Sequence, residues 1–171
     1  MAGGWTLAWV SLGITVAFSV LELVLPAPLL RVNVQKAQVA WLLDMPLRYR
    51  PAQLSSAIAE IDTYGSGARR LIAKLHVIPD SVFPLAYVTC LASFAVLLWT
   101  SRPMVGEAGA AASVTGGIAD VIENAGIVWI LLRFPALPRG LARATWVLSW
   151  VKFAGILGAL LVLACRLVVR T

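Results

Sequence analysis

The sequence predicts an all-α polytopic membrane protein. It reads as a four-transmembrane-helix bundle with short interfacial helices in a long first loop, all within a single integral membrane domain over residues 1–171. Three observations predict this fold. Apolar residues make up 60% of the chain and charged residues only 13%, far from the balance of a soluble domain. Four apolar runs approach or exceed the roughly 20 helical residues that cross about 30 Å of hydrocarbon. Most prolines and most charges fall between those runs. Too little chain remains for an aqueous core, and hydrophobicity this high excludes disorder.

The first span, 5–25, has no Lys or Arg ahead of it and is long for a cleaved signal, so a retained helix is expected. Pro26 and Pro28 end it, because proline removes a donor and restricts the residue before it. The second span, 82–99, opens behind Asp80, which can cap free amides. It carries Pro84 in its first turns, where a missing N–H costs least. The third, 112–134, contains Asp120, Glu123 and Asn124 and stops at Pro135 and Pro138. The fourth, 146–169, has Lys152 in its opening turns and Arg166 and Arg170 at its far end. Trp5, Trp9, Trp99, Trp146 and Trp150 lie near span ends, as interfacial aromatics do, whereas Trp129 is expected to pack inside. Cys90 and Cys165 sit in apolar runs and read as small buried side chains.

The net charge of +6 needs no nucleic acid, because the basic residues flank apolar spans and suit anionic headgroups. The first loop holds Arg31, Lys36, Arg48, Arg50, Arg69, Arg70 and Lys74, and the third holds Arg133, Arg139 and Arg143. The opposite side has Arg102, Arg166 and Arg170. The positive-inside rule therefore places loops 26–81 and 135–145 in the cytoplasm and both termini on the extracytoplasmic side.

The first loop is too long for a bare turn. Within its segment 34–77, Val34, Val39, Leu42 and Leu43 form an apolar cluster. Leu54, Ala57, Ile58 and Ile61 then recur at helical spacing before Gly65 and Gly67. Residues 68–77 set Leu71, Ile72 and Leu75 against Arg69, Arg70 and Lys74, the pattern of a basic amphipathic helix. Such a helix either seals the cytoplasmic end of the bundle or covers a lateral entrance.

The informative residues are the charges inside the spans: Glu22, Asp120, Glu123 and Lys152. A charge at the bilayer centre costs a few kcal/mol even on the lenient scale, so each needs compensation. Asp120, Glu123 and Asn124 share one broad helix face, and Gly116, Gly117 and Gly126 allow a neighbouring helix close to it. With the predicted orientation, Asp80, Tyr87, Lys152 and Glu22 fall at similar depths, which permits a polar column reaching Glu123 and Asn124. Two poorly solvated carboxyls beside Lys152 form a candidate proton-binding pair.

The residues singled out as catalytic are Asp120, Glu123, Lys152 and Tyr87, with Asn124, Glu22, Asp80 and Trp150 as ligand-binding candidates. No cofactor or metal is expected: paired His/Cys spacings, dinucleotide glycine fingerprints and phosphate-loop motifs are absent, and the lone histidine, His76, falls in the loop. A small helical bundle with buried acids resembles membrane sterol isomerases in outline. Here no histidine falls within a span, and no residue role is carried across.

The sequence thus favours a protein that binds a lipid or other lipophilic small molecule at the intramembrane cluster and transforms it by acid/base chemistry. The alternatives are a non-catalytic accessory subunit of a larger membrane complex and a proton-linked carrier or channel component. Membrane lipids, a lipophilic substrate and further membrane subunits or copies of this chain are the expected partners.

Overall fold

The computed structural model describes residues 2–24, 54–65, 67–77 and 79–168, and its described residues are helical apart from short turns. The helices are α1 (Ala2–Val24), α2 (Leu54–Asp62), α3 (Ala68–Val77), α4 (Pro79–Leu98), α5 (Pro103–Arg133) and α6 (Arg139–Val168). Three of them contain stretches long and apolar enough to cross a membrane: Gly3–Leu21, Pro103–Arg133 and Arg139–Arg166. The expected second span is the shorter apolar stretch Val82–Leu98, so three helices among the described residues meet the length and apolarity of a crossing. The apolar runs located every long helix but undershot two starts. Pro103 occupies the first turn of α5, whose opening residues 103–111 are small or apolar but for Glu107, and Arg139 begins α6, where Arg139, Arg143 and Thr145 add polar turns ahead of the apolar run. Of the 34–77 segment, residues 34–53 lie outside the described residues.

α5 is the central helix: its apolar stretch is 56% buried, against 11% for α1 and 22% for α6. It packs most extensively on α6 and then on α4, while α1 lies against α4. Trp5 and Trp9 meet Phe94 edge-on there, at centroid distances of 6.1 and 5.3 Å. Small residues permit the α5–α6 approach. A Cβ on Gly155 would stand 2.6 Å from the Ala112 carbonyl oxygen and 2.7 Å from the Gly116 nitrogen. Hydroxyls inside the helices turn back on their own backbone, as Ser11, Thr15 and Ser19 do toward carbonyls one turn earlier.

The two ends of the bundle are closed differently. At one, Trp99 Nε1 donates to the Val162 carbonyl of α6 at 3.0 Å, and Arg166 Nε donates to the Leu98 carbonyl at 2.9 Å, satisfying an acceptor at the end of α4. At the other, Leu54, Ile58 and Ile61 of α2 and Ile72 of α3 form one core with Ile127, Ile130 and Leu131 of α5. Gly65 and Gly67 make the turn between α2 and α3 at φ 129° and 98°, values that side chains rarely adopt. Arg69 then pins that turn: it reaches Asp62 Oδ1 at 2.5 Å and the Phe134 carbonyl at 3.1 Å. The amphipathic helix therefore seals this end, as one of the two sequence readings has it. Cys90 is buried and Cys165 exposed, and both are free thiols.

Candidate functional site

Where α4, α5 and α6 meet, the sequence forces polar groups into the interior. Asp120, Glu123 and Asn124 recur at i, i+3 and i+4, so the face of α5 that is packed most tightly is also its polar face. On α6, Thr145, Ser149 and Lys152 recur at four and three residues and point the same way, all buried. Tyr87 closes the third side from α4.

Lys152 is the hub. Its Nζ lies 3.2 Å from Asp120 Oδ1 and 2.6 Å from Glu123 Oε2. Asp120 accepts from three donors: Lys152 and Asn124 Nδ2 (3.1 Å) at Oδ1, and the Tyr87 hydroxyl (3.0 Å) at Oδ2. Glu123, wholly buried, meets the Ser149 hydroxyl through Oε1. The Ser149 hydroxyl also reaches the Thr145 carbonyl at 3.2 Å. Asn124 Nδ2 additionally donates to the Asp80 carbonyl at 3.3 Å, tying the first turn of α4 to α5. Its Oδ1 is buried and meets no donor among the described residues.

The arrangement is a charge-assisted network in a buried setting, where each interaction is stronger than in water and each lost partner costs more. Among the described residues one ammonium, Lys152, stands between two carboxyls, and with both acids ionised these three groups would carry a net charge of −1.

Five predicted residues are brought together here: Asp120, Glu123, Lys152, Tyr87 and Asn124. Asp80 joins through its backbone carbonyl. Trp150 lies on the exposed side of α6, edge-on to Trp146, and the helix turns it away from the face that carries Ser149 and Lys152. Glu22 sits in α1, but its side chain lies outside the described residues. Trp129, expected to pack inside, is more than half exposed with the Arg133 guanidinium 5.0 Å over its ring. Ser149 and Thr145 went unrecognised in the sequence, although their spacing from Lys152 places them on its face.

Outside the cluster, an apolar groove of about 300 Å³ runs along the α4–α5 seam. Pro84, Leu85 and Val88 form one wall, and Gly117, Ile118 and Val121 the other. Pro84 and Gly117 each precede a cluster residue, Tyr87 and Asp120, by three positions. Two further cavities lie at the α3 end of α5, and none of the three is lined by Asp120 or Glu123.

No protein-family model, no curated protein and no solved structure matches the chain, so the likeness to sterol isomerases draws no support from similarity.

Proposed function

We propose that the chain is an integral membrane protein in which Glu123 holds an exchangeable proton beside the Asp120–Lys152 ion pair. The site serves a lipophilic molecule seated on the α4–α5 groove. The observation that carries this reading is the odd charge count: two carboxyls and one ammonium share a pocket in which Glu123 is wholly buried. A structural tie would need one acid. Of the two carboxyls Glu123 is the one wholly buried, and burial penalises the charged form, which favours Glu123 as the proton carrier. Proton donation from Glu123, with Lys152 holding the resulting carboxylate, is the acid/base chemistry available.

A second reading, a non-catalytic accessory subunit, is favoured by α1, whose outer face exposes Val10, Val16 and Val20 and suits a partner helix.

Infrared difference spectroscopy in lipid nanodiscs separates the two. A protonated-carboxyl band at neutral pH is expected, lost in Glu123→Gln and kept in Asp120→Asn. A long-chain alcohol bearing a diazirine should label Val88 or Val121, and Val121→Trp should block it. No such band, or labelling indifferent to Val121→Trp, leaves the accessory reading standing.

A further inference from the structure

We propose that the α3 end of the bundle carries a seat for one anionic membrane phospholipid, apart from the Asp120–Glu123 site. Arg70, Ala73, Lys74 and Val77 fall at i, i+3, i+4 and i+7 and line one flank of α3. Val128 and Leu132 of α5 face them across a groove of about 290 Å³ with apolar walls. A second, larger cavity of about 770 Å³, bounded by the Gly65–Gly67 turn and mostly polar, shares Arg70 and Leu132 with the first. A polar cup and an apolar groove thus join at one arginine, in the order of a headgroup and its acyl chain. The flank is fixed in place because Ala68 and Ile72, on another face of α3, are buried against α5.

The charges fit an anion. Arg69 is committed to Asp62 and the Phe134 carbonyl. Arg70 and Lys74 are exposed and have no ion-pair partner among the described residues, and their aliphatic stems line the groove while their heads are free for a phosphate. Free phosphate would leave the groove unused, and an uncharged chain would leave the two cations unused. A phospholipid of net negative charge uses both.

Native mass spectrometry of the full chain released from nanodiscs of equal phosphatidylglycerol and phosphatidylcholine tests this. Retention of one phosphatidylglycerol in preference to phosphatidylcholine is expected. That preference should fall about fivefold in Arg70→Gln or Lys74→Gln and about thirtyfold in the double variant, the effect of cations at an anionic surface. Leu132→Trp should expel the lipid by filling the groove. Arg102→Gln, an exposed cation between α4 and α5 at the opposite end, should change nothing. Equal retention of the two lipids, or a preference that survives the double variant, overturns the proposal. So does displacement by soluble glycerophosphate, which would mean that the groove contributes nothing.

Discussion

Gly155 of α6 meets Gly116 of α5 backbone to backbone, close enough that a Cβ on Gly155 would stand 2.7 Å from the Gly116 nitrogen. That approach sets the reach of Lys152, one turn earlier on α6, whose own carbonyl lies 3.0 Å from where a Gly116 Cβ would be. Helix spacing and ion triad are therefore one feature. Gly155→Ala is expected to push the helices apart and destabilise the chain by about 1–3 kcal/mol, the usual cost of overpacking. Because the obstructing atoms are backbone, no side chain can swing aside to relieve it. Reversible unfolding in mixed micelles measures the loss. Gly158→Ala is the control, since its Cβ would meet only the Ala112 methyl at 3.5 Å, an ordinary contact.

Lys152→Met removes the only ammonium facing Asp120 Oδ1 and Glu123 Oε2 among the ion pairs of the described residues. Breaking a buried pair from one side costs about 3–5 kcal/mol, because the partner charge is left in a poor solvent. The triple variant Lys152→Met, Asp120→Asn, Glu123→Gln should regain most of that loss, since neutral partners carry no stranded charge. If the triple variant is no more stable than the single one, the carboxyls are not the groups that Lys152 compensates.

The long helices and the polar face of α5 were legible in the sequence because both are local: apolar run length and i, i+3, i+4 spacing depend on helix geometry alone. Asp120, Glu123 and Lys152 stood out because a charge in an apolar run demands a partner. Which partner is a tertiary matter, decided by the Gly116–Gly155 approach, and spacing alone left Lys152 free to choose among the acids. Ser149 was missed because a serine in a helix ordinarily bonds to its own backbone, and only its position on the Lys152 face marks it. Trp150 lies apart from the cluster because, two residues before Lys152, the helix turns it to the opposite side. The start of α6 was missed because the polar turns of 139–145 carry no hydrophobic signal, and that of α5 because Gly106, Glu107 and Gly109 interrupt the apolar run.

Arg69→Gln should loosen one end of the bundle without unfolding it. The guanidinium spans Asp62 on α2 and the Phe134 carbonyl just past α5, with the Phe134 ring 5.1 Å beneath it. The pair is partly exposed, so the ionic part is weak, and the loss is chiefly of the tie between segments. Hydrogen exchange should rise across 54–62 and 68–77 while 113–127 of α5 stays protected. Uniform acceleration along α5 would mean that α2 and α3 are not a separately opening unit.

Tyr87→Phe tests whether Asp120 is held as a carboxylate by its donors. The substitution keeps the ring, which meets Phe83 edge-on at 5.3 Å, and deletes only the hydroxyl that donates to Asp120 Oδ2. A buried acceptor stripped of its donor costs about 1–3 kcal/mol, more when it is charged. In the Asp120→Asn background that oxygen carries no full charge, so the same deletion should cost about 1 kcal/mol or less. A double-mutant cycle in mixed micelles should therefore give a coupling of about 1–2 kcal/mol between Tyr87 and Asp120, within the range for directly bonded pairs. Additive effects would place the Tyr87 contribution in its ring packing rather than in its hydroxyl.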